Sequence, residues 1–277
     1  MSQPRSVTRI MQSRLTSDGA GVTLRRSIGS QDLSELDPFL LLDAFGTDNP
    51  DDYIAGFPDH PHRGFETVTY MIKGLMRHKD NTGAEGVLSP GGVQWMTAGR
   101  GIIHSEMPEQ TEGEMMGFQL WVNLPAADKM MEPRYQNLEP DESPLTILED
   151  GTSIRVIAGT AAGITGPISE ISVEPLYIDI TLPAGGSFSQ AVTPGHTAFA
   201  YVFEGEAEIE STSIQLHTLA ILGDGDQVTI SSQSGGSVIL VAGRPLGEPV
   251  ARYGPFVMNT KEEIRQAMND FQTGNFM

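Results

Sequence analysis

The stretch Phe57-Pro-Asp-His60-Pro-His62-Arg-Gly-Phe-Glu66-Thr-Val-Thr-Tyr-Met-Ile72 carries two signals at once. Its second half is a run of β-branched and aromatic residues that reads as a strand. Its first half places two histidines one residue apart. In an extended chain, residues two apart face the same side, so His60 and His62 project together. A second stretch, Gly99-Arg-Gly-Ile-Ile-His104-Ser-Glu106, repeats that spacing with a histidine and a carboxylate. Two such pairs on facing strands bring four ligating groups around one ion, which makes these stretches the centre of an all-β reading.

The rest of the chain fits that class. Short strand-like runs recur at Gly21–Arg26, Gly117–Val122, Leu176–Leu182, Ala198–Phe203 and Ser237–Ala242, punctuated by many of the 31 Gly and 18 Pro residues. One helix is expected near the end. Thr260-Lys-Glu-Glu263 forms a capping box, Ile264, Ala267, Met268 and Phe271 follow at helical spacing, and Gly274 comes after them. With 277 residues, 39% of them hydrophobic, the chain is long enough for two cores. Tyr70-Met-Ile-Lys-Gly74 resembles Tyr201-Val-Phe-Glu-Gly205, and Gly92 falls on Gly223 at the same offset. These coincidences suggest two barrels of similar topology, residues 1–134 and 135–277, joined near the proline-containing stretch Glu132–Ser143. At that offset the ligand candidates land on Ala191, Thr193, Gly235 and Ser237, so the second barrel is expected to be metal-free, with His196 and His217 standing alone.

Composition narrows the function. Lys+Arg 17 against Asp+Glu 36 gives a net charge of -19, which repels phosphate backbones and argues against direct nucleic-acid binding. The absence of cysteine excludes disulfides, thiolate metal sites and cysteine nucleophiles. No signal-peptide core and no membrane-length apolar run is visible, so a soluble cytoplasmic protein is expected.

The ligand set is imidazole nitrogen with carboxylate oxygen, which suits divalent Fe, Mn, Ni, Co, Zn or Cu. Six-coordination would leave two neighbouring positions open for substrate or dioxygen. Glu66 rivals Glu106 for the carboxylate, because it shares strand parity with His60 and His62 unless the chain bends sharply after Pro61; otherwise it would orient a ligand from outside the site. Arg63 and His78 are further candidates near the ion, and Trp95 a candidate pocket wall. Gly99-Arg-Gly101 lacks the third glycine and the strand-to-helix context of a dinucleotide loop, so no nucleotide cofactor site is read there.

Several longer stretches resemble the pirin family of the cupin superfamily. They are Arg25–Gly29, Leu36–Leu40, Phe57–Thr67, Gln94–Pro108, Gln119–Asn123 and Gly254–Thr260. The resemblance spans nearly the whole chain. It implies a bicupin, two jelly-roll-like β-barrels in tandem with a short C-terminal helix, holding one Fe(II) in the N-terminal barrel on His60, His62, His104 and Glu106. The family pattern thus favours Glu106 over Glu66, whereas the general cupin pattern takes its glutamate from just after H-x-H. The resemblance further implies one of two functions. The first is a quercetin 2,3-dioxygenase-like reaction, in which a flavonol or related aromatic substrate meets dioxygen at the metal and Glu106 acts as general base. The second is a non-enzymatic, iron-dependent redox regulator acting through a protein partner.

Overall fold

The strand-forming runs pair into antiparallel sheets in a computed structural model that describes residues 2–276. Contacts group the chain into two compact units, Leu15–Pro140 with Leu246–Met277, and Met1–Arg14 with Asp141–Pro245. Each unit is built from a seven-stranded sheet and a four-stranded sheet.

The unit containing the two histidine stretches has the strands β1 (Arg14–Asp18), β2 (Val22–Arg26), β3 (Phe39–Thr47), β4 (Phe57–His62), β5 (Phe65–Lys73), β6 (Met76–Asp80), β7 (Glu85–Leu88), β8 (Val93–Thr97), β9 (Ile102–Pro108), β10 (Met115–Asn123) and β11 (Arg134–Leu138). A later hairpin, β12 (Ala251–Tyr253) and β13 (Phe256–Met258), and the helix α1 (Lys261–Thr273) complete it. The large sheet runs β11-β8-β5-β10-β3-β2-β1, and the small one β4-β9-β6-β7. The expected capping box is present: Thr260 and Glu263 satisfy each other's backbone N–H groups, and Gly274 closes the helix with φ 75°. Ile264 and Ala267 pack with Phe256, Met258 and Phe276, which anchors the hairpin.

The expected division between residues 134 and 135 differs from these units. Arg134–Leu138 is not a linker, because Arg134 to Leu138 pair with Thr97 to Val93 along the edge of the large sheet. The N-terminal strand Val7–Gln12 pairs with Thr218–Leu222 and so belongs with the later unit. The C-terminal segment belongs with the site-bearing one.

The later unit has strand order Val7–Gln12, Thr218–Leu222, Thr197–Gly205, Gly236–Gly243, Leu176–Leu182, Ser153–Ala158 and Leu145–Ile147 in its large sheet. Tyr70 and Tyr201 do sit on corresponding central strands. Gly92 and Gly223 do not correspond: Gly92 precedes β8, whereas Gly223 follows Thr218–Leu222. The counterpart of the β4–β9 ladder is Ser187–Ala191 with Gln227–Ser231. Its buried positions are Phe188, Gln190, Val228 and Ile230, and three of these belong to one continuous apolar core. Among the described residues, no helix is long and apolar enough to cross a membrane.

Two residues, Arg63 and Gly64, turn the chain from the small sheet into the large one. Gly64 has φ +88°, and a Cβ there would sit 2.0 Å from the Val257 carbonyl oxygen. The buried Lys129 ammonium donates to the Gly64 carbonyl (2.7 Å), Asn123 Oδ1 (2.7 Å) and the Val257 carbonyl (3.1 Å). Arg63 donates to the carbonyls of Arg100 and Phe276 and pairs with Asp270 at 2.7 Å. We expect Gly64→Ala to lower the unfolding free energy by about 2 kcal/mol or more through strain and clash. Gly83→Ala, with φ +94° but nothing within 4 Å, should cost about 1 kcal/mol. Urea denaturation of the two variants checks the contrast.

Candidate metal centre

His60, His62 and His104 converge as the sequence spacing predicts. One ligand nitrogen from each lies within 4.8 Å of the others. The ring centroids are 4.6 Å apart for His60–His62, 4.5 Å for His60–His104 and 4.9 Å for His62–His104. The ladder explains this: His104 stands directly opposite His60 and Ile102 opposite His62, so all three imidazoles share one face. β4 is an edge strand, which tolerates Pro58 and Pro61. Between His104 and Glu106 the register slips, and Glu106 opposes Phe57. That is a β-bulge with one extra residue at Pro58–Asp59.

The nitrogens are ready for an ion. His60 Nδ1 donates to the Pro58 carbonyl at 2.8 Å, which fixes the tautomer and leaves Nε2 as the free lone pair. His62 and His104 are buried, and none of their ring nitrogens has a hydrogen-bond partner. Desolvation, reinforced by the neighbouring imidazoles, holds His62 well below the ordinary histidine value and His104 at about 3. Both rings are therefore neutral, the form that binds a metal. Orphaned, neutral, convergent imidazoles fit a divalent cation.

Glu106 lies on the same face but its oxygens do not join the three-histidine cluster. Oε1 accepts from the Thr69 hydroxyl (2.7 Å) and Oε2 from the Gln119 amide (3.1 Å). Both partners come from the inner face of the large sheet, and Thr69 and Gln119 are directly opposed in the β5–β10 ladder. Neither was apparent from the sequence.

The other candidates separate. Glu66 is buried and accepts from Thr97 at 2.7 Å. It pairs with Thr97 and shares its face with Val68 and Trp95, opposite to the face that carries Thr69. The bend at Arg63–Gly64 breaks the parity with His62, so Glu66 is not a ligand candidate in this geometry. Trp95 is buried beside it and does not line the cavity. Arg63 is committed to the C-terminal segment. His78 does border the site: it opposes Glu106 across the β6–β9 ladder, and burial lowers its pKa against the pull of Glu106 and Asp80.

The cluster opens into a cavity of about 590 Å³. Leu24, Phe45, Phe57, Met76 and Trp121 give it apolar walls. A polar row crosses its floor on adjacent strands, in the order Arg26, Asp43, Gln119, Thr69. Arg26 grips Asp43 with two bonds of 2.8 and 2.6 Å and also holds Asp18 at 2.6 Å. Burial still pushes the Asp43 carboxyl up to about 6.

A family model described as Pirin matches residues 21–122, and one described as Pirin C-terminal cupin domain matches residues 177–277. A pirin-like protein of Caulobacter vibrioides is 51% identical over 273 residues, covering 98% of this chain and 99% of that one. Pirin of Homo sapiens is 45% identical, with 98% and 94% covered. A crystal structure of quercetin 2,3-dioxygenase from Acinetobacter baumannii superposes with TM-score 0.91 at 35% identity, covering 99% of this chain and 98% of that one.

Two outcomes follow from the geometry. Metal analysis should find one tightly bound divalent ion per chain. His104→Ala should abolish it, Glu106→Gln should weaken it, and Glu66→Gln should leave occupancy unchanged; equal loss in both glutamate variants would remove Glu106 from the ligand set. In metal-free protein, the unfolded chain takes up a proton near pH 6.5 that folded His104 refuses until about 3. Stability should therefore fall as pH drops through that window. Thermal unfolding at several pH values checks this, with a shallower slope expected for His104→Gln.

Proposed function

Since the chain belongs to the pirin family of bicupins, we propose that it is an iron-dependent dioxygenase acting on a flavonol-like aromatic substrate in the cavity beside His60, His62 and His104. The observation that carries this reading is the junction of three convergent imidazoles, two of them with no hydrogen-bond partner, with an aromatic-walled cavity. Its volume of about 590 Å³ lies in the range of small-molecule sites. The likeness to the Acinetobacter baumannii quercetin 2,3-dioxygenase supports the substrate class. The donor set accepts Mn, Ni, Co, Cu or Zn as well, and it is the resemblance to pirins that favours iron.

A divalent ion held here would supply Lewis-acid and one-electron chemistry to a bound hydroxyl and to dioxygen. The chain supplies the rest. Trp121 and Phe57 flank a flat ring and exclude water from it. Glu106 takes the proton from the substrate hydroxyl, as a carboxylate that lines the same cavity as His60 and His62. Thr69 and Gln119 hold that carboxylate on the cavity side, and once Glu106 is protonated the Thr69 hydroxyl can accept from it while donating its own proton to Gln119 Oε1, 2.6 Å away. When an ion is held, Glu106 would also complete the protein donor set as its fourth member.

Protein loaded anaerobically with one equivalent of Fe(II), then given quercetin and air, should bleach the flavonol and release carbon monoxide over many turnovers. His62→Ala should lose this entirely, and Glu106→Gln should lose about 100-fold or more in rate. Iron bound without turnover would overturn the enzyme reading and favour a redox regulator with a protein partner.

A further inference from the structure

The cavity holds two guanidinium groups, and they are used differently. Arg26 is spent on Asp43 and Asp18. The Arg252 guanidinium has five N–H donors, and among the described residues its only hydrogen bond is from Nη1 to the Leu40 carbonyl at 3.2 Å. Among the described residues, no carboxylate lies within ion-pair distance of it. Its guanidinium instead sits over the Trp121 ring, 4.6 Å from the centroid. The same indole meets His62 edge-on at 5.3 Å. One aromatic side chain therefore separates the metal-ligating cluster from a cation with unspent donors, and both ends line one cavity.

The placement is built rather than incidental. Arg252 lies on β12, directly opposite Val257 of β13. The Val257 N–H donates to the Arg63 carbonyl at 3.0 Å, next in sequence to His62. Phe256 and Met258 are seated against α1. The arginine is also exposed, so an incoming molecule reaches it from solvent. An arginine stays protonated across the working pH range, and it presents flat, forked donors that match an anionic oxygen group.

We propose that Arg252 is a specificity residue. It selects aromatic chelators that carry a second acidic oxygen group, a carboxylate or an ionised phenol, at the end of the molecule away from the metal. The substrate would lie along Trp121, with its chelating oxygen at the histidines and its anionic oxygen on the Arg252 guanidinium. This rests on the cavity being the substrate site, and it does not require that the reaction be flavonol cleavage.

The test reads binding, without oxygen. Protein loaded with zinc, which has no redox activity, is titrated anaerobically with 3-hydroxyflavone and with its 4′-carboxylate, following the flavonol absorption shift. The carboxylate should bind about 10-fold tighter, a modest gain because the group is exposed. That preference should shrink with added salt. Arg252→Gln should erase the preference while leaving 3-hydroxyflavone within about twofold, and Arg252→Lys should restore part of it. Equal binding of the two probes by the wild type, or a preference that survives Arg252→Gln, would overturn the proposal. So would failure of both probes to bind zinc-loaded protein, since the substrate site itself would then lie elsewhere. Failure of quercetin turnover with the preference intact would overturn only the assigned reaction.

Discussion

Two imidazole rings buried with every nitrogen unpartnered set the terms for the site-bearing half of this protein. Leaving buried polar groups unsatisfied costs free energy, so the fold around them must hold them by other means. It does so with sheet geometry. His60, His62 and His104 share a face of the small sheet because two adjacent strands pair in one register. The bulge at Pro58–Asp59 then lets Glu106 keep that face while the pairing slips by one residue. The bend at Arg63–Gly64 is secured by a buried lysine and a buried arginine, most of whose hydrogen bonds go to groups far away in sequence. A cation is the partner that makes such an arrangement favourable, and the neutral state imposed on His62 and His104 prepares the site for it.

What the sequence revealed and what it concealed follow from one distinction. Parity within a strand is local, so the pairs His60/His62 and His104/Glu106 could be read directly. Parity across a bend is not local. Glu66 has the right spacing from His62 and still faces away, because Gly64 adopts a backbone conformation that reverses the count. The capping box of α1 was legible for the same reason as the histidine pairs, since all its contacts lie within four residues. Thr69, Gln119 and Arg252 were invisible because their relation to the site exists only through ladders between distant strands. Strand Arg134–Leu138 lies inside the polar, proline-containing stretch Glu132–Ser143, whose composition reads as a connection between barrels. An edge strand paired on one side only has little apolar pattern to show.

The large sheet's contribution to the cavity also follows from pairing. Arg26, Asp43, Gln119 and Thr69 sit on four successive strands at opposed positions, so they form a straight polar row across an otherwise apolar floor. Arg26 and Asp43 neutralise each other at one end, while Thr69 and Gln119 reach across to Glu106 at the other. A flat ring resting on this floor meets fixed hydrogen-bonding groups only along the row and apolar surface on either side. Orientation in the plane is thereby constrained by the sheet itself.

The later unit shows what the same topology does when chemistry is not asked of it. It repeats the seven-stranded and four-stranded sheets, yet the positions corresponding to the ligand ladder are filled by Phe188, Gln190, Val228 and Ile230. Phe188, Val228 and Ile230 join a single apolar cluster that includes residues from both of its sheets. Such a core gains from burial everywhere and needs no ion. In the site-bearing unit the equivalent volume is given to a cavity and to three imidazoles. The three histidines are therefore not a requirement of the fold. They occupy positions that the later unit fills mostly with apolar side chains, so what they bind, and not the packing of the sheets, accounts for their presence.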